Sequence, residues 1–236
     1  MSQGERPVIT VAPDVESVAR RAADVMANHI NDARARSVDV HIALAGGSTP
    51  RRAYELLAGM QGSWAQVHLW LGDERCVPED DAESNTRMVR ESLLDRLRAP
   101  AGPHLHNVRG DLGPEDAAWL YGCDIARAMG ERPVFDLILL GLGPDGHTAS
   151  LFPGHPEAAS ELAPVIGVRD SPKPPPERIS LTLPVLRRAR FTLLLATGSE
   201  KAQALARVRA RDSSIPAGRL GDGLDEIVCD PEADRG

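Results

Sequence analysis

The sequence predicts an α/β protein: a mainly parallel, doubly wound Rossmann-like sheet formed by residues 1–236 as one domain. Three observations carry that prediction. Short apolar runs, such as Leu137–Leu140 and Phe191–Ala196, suit strands buried on both faces of a parallel sheet. Segments with apolar residues at helical spacing alternate with these runs, which is the order expected of β-α units. Polar, glycine-containing loops follow the runs, and in an open α/β sheet ligands bind outside the carboxyl ends of the strands.

In chain order, Val8–Val11 reads as a first strand. Asp14 is placed to cap a helix whose apolar positions are Val15, Val18, Ala22, Val25, Met26 and Ile30. Val38–Leu44 is a second strand and runs into Gly46-Gly47-Ser48-Thr49-Pro50. Ser48 or Thr49 would cap the next helix and Pro50 would open it, leaving free backbone N–H groups that favour a phosphate. The P-loop pattern is absent, so a capped helix after a tight turn is an equally good reading of these residues alone. Val67–Leu71 is a third strand, ending in the polar loop Gly72-Asp73-Glu74-Arg75. Ser84 caps a helix to about Leu97.

Residues 99–113 read as loop, with His104 and His106 as surface histidines. A helix from Pro114 to about Met129 places Trp119 and Leu120 in the core. The central strand follows, then the irregular stretch 154–177 with its proline-stiffened Ser171–Pro176. Ile179–Leu183 and Phe191–Ala196 are further strands; Thr197-Gly-Ser-Glu-Lys201 leads into a helix to about Val208, and Glu226–Cys229 is a last short strand.

Composition narrows the function. The chain has 236 residues and a net charge of −7, which argues against nucleic acid as a partner. No apolar run can span a bilayer, and Met1–Pro7 has no signal-peptide core, so a cytoplasmic, membrane-free protein is expected. Cys76, Cys123 and Cys229 are odd in number and far apart, which fits a reducing compartment and gives neither a disulfide framework nor a metal site. No obligate protein partner is evident.

Gly141-Leu-Gly143-Pro-Asp-Gly146 fits G-x-G-x-x-G, but a dinucleotide site also needs a long helix behind it and an acid closing the next strand roughly 20 residues on. Pro153 and Gly154 stop any such helix, and Glu161 precedes an apolar stretch where it should end one. NAD binding is rejected, and no cofactor is expected.

Four strand ends therefore carry polar loops at Gly46–Thr49, Asp73–Arg75, Asp145–His147 and Ser199–Lys201. A parallel sheet brings them to one edge, where they would form one crevice. A histidine with an adjacent acid but no serine elbow or paired cysteine points to water activation or proton abstraction.

LAGGSTP, WLGDERCVP followed by Ser84-Asn85, FDLILLGLGPDGHTASLFPG, PPERISLTLPVL and TGSEKAQAL together resemble the 6-phosphogluconolactonase family, in its order, from about Leu44 to Leu205. The resemblance implies the fold shared with glucosamine-6-phosphate deaminase and ribose-5-phosphate isomerase. It also implies cofactor-free, metal-free hydrolysis of the δ-lactone of 6-phosphogluconate in the oxidative pentose phosphate pathway. It makes His147 the general base and Asp145 its partner, and Asp73 and Arg75 an acid–arginine pair. Gly46, Gly47, Ser48 and Thr49 become the phosphate loop, with Arg178 and Lys201 as bases reaching the phosphate. The related deaminase/isomerase branch would need an acid where this chain has Phe152, which cannot transfer a proton. A non-catalytic sugar-phosphate regulator would need an added DNA-binding module, for which the segment before Val38 has no room.

Overall fold

The computed structural model describes residues 6–36, 38–60, 63–98, 101–160 and 163–236. Glu161, set aside above as an unsuitable ribose-binding acid, lies outside them. The strands are β1 (Val8–Val11), β2 (Val40–Leu44), β3 (Val67–Leu71), β4 (Asp73–Arg75), β5 (His104–Leu105), β6 (Leu137–Gly141), β7 (Val165–Val168), β8 (Arg178–Leu181), β9 (Thr192–Ala196) and β10 (Glu226–Cys229). The helices are α1 (Val15–Ala35), α2 (Ser48–Leu57), α3 (Asn85–Ser92), α4 (Pro114–Met129), α5 (Leu183–Leu186), α6 (Ala202–Arg209) and α7 (Pro231–Asp234).

Seven strands form a parallel sheet in the order β1-β10-β9-β6-β2-β3-β5. The chain runs outward from β2 through β3 to β5, then returns to the other side of β2 at β6. That reversal splays the loops after β2 and β6 apart and leaves a crevice at their carboxyl ends. β9, β6, β2 and β3, the four strands with polar ends, are consecutive in this order. Their buried side chains explain the apolar runs: Leu137, Ile138, Leu139 and Leu140 are at most 1% exposed.

α1 begins where Asp14 accepts a hydrogen bond from the Ser17 amide at 2.7 Å, and it buries Val18, Ala22, Met26 and Ile30 against the sheet. α1 packs on α2, and α2 on α3. Ser84 caps α3 by accepting from Arg87 N. α3 ends at Ser92 and passes into a single 3₁₀ turn at Leu94–Arg96, short of the continuous helix to Leu97.

Four other expectations change. Asp73–Arg75 is not loop but β4, which pairs antiparallel with β8 in a second sheet of order β4-β8-β7. β7 lies inside the stretch read as irregular, because its four-residue run Val165–Val168 is interrupted by Gly167. Trp119 is 68% exposed on α4; the helix buries Ala117, Ala118, Tyr121 and Ile125 instead. His104 opens β5, and His106 stacks on the buried Trp70 with ring centroids 3.4 Å apart.

Candidate active site

A cleft of about 260 Å³ opens at the switch point between β2 and β6. Gly46, Gly47, Asp73, Arg75, His147, Arg178 and Lys201 all line it. So do Asn85, Lys173 and Pro174, to which the sequence assigned no role.

His147 is delivered by the turn after β6. Gly146 sits at φ +89°, a backbone state that disfavours side chains. Gly143 must be glycine for a second reason: a Cβ there would lie 1.9 Å from His147 Nδ1. The ring therefore rests on bare backbone, with Phe152 beside it at a centroid distance of 4.8 Å. His147 Nδ1 and Asp145 Oδ1 are 2.5 Å apart, and the same oxygen accepts from the His147 backbone N–H. Nδ1 therefore carries the proton, and the lone pair of Nε2, which has no protein partner among the described residues, is left for a ligand.

The His147 side chain is 15% exposed, whereas Asp145 is 39% exposed and stands behind it, off the cleft wall. Burial pushes the imidazole below its usual value, and Asp145 offsets this only in part. The charge of Asp145 raises the imidazole pKa as expected, but the desolvation of a largely buried ring outweighs it. Burial works against the charge of Asp145, but the imidazole prevails and holds the carboxyl below its usual value.

Asp73 and Arg75 project from one face of β4, as alternate residues on a strand must. They do not pair with each other. Asp73 Oδ2 accepts from the buried Ser150 hydroxyl at 2.6 Å. Arg75 Nη1 donates to Glu83 O at 2.6 Å and to Asn85 Oδ1 at 2.8 Å. Its Nε is buried without a partner among the described residues.

Asn85 also donates from Nδ2 to Asp73 O at 2.9 Å, and its side chain occupies the space a Cβ on Gly46 would take. Asn85 is held in turn by Glu74, which points to the other face of β4. The Glu74 carboxylate accepts from the amides of Arg75, Asn85 and Thr86 and from the hydroxyls of Ser84 and Thr86. Burial pushes its pKa up against those donors.

The glycine loop behaves differently from the expectation. Gly47, at φ +109°, is the N-cap of α2, and no side chain caps this helix. Ser48 occupies the first turn and lines an adjoining cleft with Arg51, Glu83 and Asn85. Thr49 is buried and meets the Thr197 hydroxyl at 3.1 Å, tying the β2 and β9 loops together behind the cleft. The cleft wall here is the Gly46–Gly47 backbone.

Arg178 lines the cleft, but its guanidinium donates to Pro175 O, Lys173 O and Pro174 O, so it braces the proline loop. That brace carries Lys173 into the cleft, which Lys201 also lines. Burial lowers the Lys201 pKa, partly offset by Glu200 at 3.8 Å. The sequence contains two lysines among its 27 basic residues, and both line this cleft. That scarcity was a readable signal for Lys173. No group of His, Cys, Asp and Glu suited to a metal occurs among the described residues.

Residues 13–228 match the sequence model of the glucosamine-6-phosphate isomerases/6-phosphogluconolactonase family. A Streptomyces coelicolor protein named 6-phosphogluconolactonase is 40% identical over 92% of this chain and 88% of its own. The human protein of that name is 43% identical over 90% of this chain and 85% of its own. The 6-phosphogluconolactonase of Trypanosoma cruzi superposes with a TM-score of 0.86 at 30% identity, covering 97% of this chain and 96% of that one.

Proposed function

The chain belongs to the glucosamine-6-phosphate isomerase/6-phosphogluconolactonase family, and on that premise we propose that it hydrolyses 6-phospho-D-glucono-1,5-lactone to 6-phosphogluconate through the cleft at the β2/β6 switch point. The observation that carries the residue assignment is the His147–Asp145 contact, which leaves one imidazole nitrogen free in a cleft holding two lysines.

In this reading His147 Nε2 takes a proton from water as the water oxygen adds to the lactone carbonyl carbon. The carbonyl oxygen becomes an oxyanion facing the Arg75 guanidinium, a fixed charge worth most in a partly dehydrated cleft. Collapse breaks the bond from C1 to the ring oxygen, and the imidazolium returns its proton to that oxygen. The products are the C5 hydroxyl and a carboxylic acid, which ionises at neutral pH. Asp73, fixed by Ser150, accepts from substrate hydroxyls. Lys173, Lys201 and the Gly46–Gly47 amides at the α2 N-terminus bind the phosphoryl group. Arg178 contributes chiefly through the loop it braces.

Neither alternative gains an observation. Phe152, where the deaminase branch needs an acid, is 1% exposed and packs on His147. We further read residues 1–236 as a single catalytic domain acting without a partner chain, nucleic acid or membrane, in the cytoplasm. The support is one hydrophobic core that joins both sheets and free cysteines suited to a reducing compartment. The decisive assay follows acid release from lactone freshly generated from glucose 6-phosphate. A rate no greater than spontaneous hydrolysis would reject the reading.

A further inference from the structure

A separate cavity, of about 360 Å³, is lined by Ser160, Leu183, Pro184, Arg187, Arg188 and Arg219. It shares no residue with the catalytic cleft and belongs to the other end of the sheet. Arg190 N donates to Phe135 O, and Ile138 N to Phe191 O, so the chain leaving Arg187 and Arg188 enters β9 level with the start of β6. The cleft lies at the carboxyl ends of those same strands.

Three arginines line this cavity, and no carboxylate residue does. Several other arginines are matched to acids, as in Arg52 with Glu16 and Glu55, Arg169 with Glu115 and Glu177, or Arg207 with Asp212. The chain carries 34 acidic residues against 27 basic ones, so acids were available. Arg187, Arg188 and Arg219 nevertheless have no ion-pair partner among the described residues, and Glu157, in the neighbouring 3₁₀ turn, does not line the cavity. Arg188 Nε is buried with no acceptor.

The frame is rigid. Arg219 Nη1 donates to Ala158 O at 2.7 Å, which fixes its plane. Gly223 presses on the backbone of residue 187 so closely that a Cβ there would lie 2.7 Å from Arg187 Cα. Arg187 and Arg188 are consecutive, at the end of α5, whose closing amides bond Leu183 O and Val185 O.

We propose that this cavity is an anion site for a phosphoryl group, carried by free phosphate or by a small phosphate monoester. The planar guanidinium fork matches phosphate oxygens in pairs, and three forks supply more donors than a single carboxylate can accept. The volume is at the small-metabolite end of the range for ligand sites.

The test uses the full-length Lys173→Ala/Lys201→Ala protein, in which the phosphate site of the catalytic cleft is removed. Inorganic phosphate is titrated calorimetrically at constant ionic strength, with chloride as the balancing anion. One saturable phosphate site is expected, weakened about tenfold by adding Arg187→Gln, as for one lost charge-assisted contact. Arg187 is exposed and no side-chain hydrogen bond of it is lost, so this variant should fold; Arg219→Gln serves as the second variant, checked by circular dichroism. In the wild-type background Arg187→Gln should leave lactone hydrolysis unchanged, which separates this site from the catalytic one. Titration with glycerol phosphate identifies the source: tighter binding than inorganic phosphate indicates a monoester, equal or weaker binding the free ion. Absence of a saturable site in the lysine-free protein, or binding untouched by Arg187→Gln, overturns the proposal.

Discussion

Replacing Asn85 by alanine should slow catalysis without touching any group proposed to meet the substrate. Asn85 Oδ1 is one of two acceptors holding Arg75 Nη1, at 2.8 Å; the other is Glu83 O at 2.6 Å. Hydrogen bonds to charged groups contribute about 1.5–3 kcal/mol, the equivalent of roughly 10- to 150-fold in rate. Arg75 keeps its second anchor, so the loss should lie near the low end, about tenfold in kcat/KM. If Arg75 faces the developing oxyanion, the loss falls on kcat while KM stays within about threefold, because the ground-state lactone makes less of this contact. Asn85→Asp retains an acceptor at the same position and should recover part of the rate. The assay is the initial rate of acid release from lactone generated in place, over a range of lactone concentrations. Asn85→Ala with wild-type kcat would refute the argument that Asn85 positions Arg75. A rise in KM alone would reassign Arg75 to the phosphate.

Three further outcomes are expected. Lys173→Ala and Lys201→Ala should each raise KM by about tenfold to a hundredfold, and activity on unphosphorylated gluconolactone should be insensitive to both. His147→Asn should lower kcat by roughly a hundredfold to ten-thousandfold in a protein of unchanged circular dichroism; the acid limb of the wild-type kcat profile should lie below pH 6.5, because burial depresses the His147 pKa and keeps the base neutral there. Stability should fall as pH drops below 6.5: burial lowers the His41 and His68 pKa values and takes His106 down to about 3, so the unfolded chain binds protons the folded one refuses. Asp39 and Asp136 oppose the shift at His41, and His104 adds to it at His68 and His106, so the comparison is His106→Phe against wild type in thermal midpoint between pH 7.5 and pH 5; equal slopes would remove the histidines as the cause.

The sheet was legible because its strands are buried on both faces, and continuous burial leaves an apolar run that sequence displays directly. β6 and β9 are of this kind. β4 and β7 were not legible for the opposite reason. β4 is three residues long and entirely charged, and it is a strand because β8 offers it an edge, a long-range pairing with no local signature. Trp119 misled because the apolar positions of α4 allow two faces, and the one chosen by Ala117, Tyr121 and Ile125 depends on packing against the small sheet and on the Tyr121 hydroxyl meeting Leu71 of β3, which helix periodicity alone does not locate.

The cleft was legible in outline for a related reason: polar loops at the carboxyl ends of parallel strands converge whatever their composition. Which atoms face inward was not. Asp73 and Arg75 look like an ion pair because they are two residues apart and opposite in charge. On a strand that spacing puts them side by side on one face, and each then takes the partner that other elements supply. Ser150, from the loop after β6, reaches Asp73; Asn85, from the first turn of α3, reaches Arg75. Glu74, the residue between them, carried no functional expectation, yet its five accepted hydrogen bonds fix where α3 begins and so where Asn85 stands. A buried carboxylate is costly unless fully satisfied, so the Asp-Glu-Arg triplet is best understood as two side chains aimed at the cleft and one aimed at the helix that holds them.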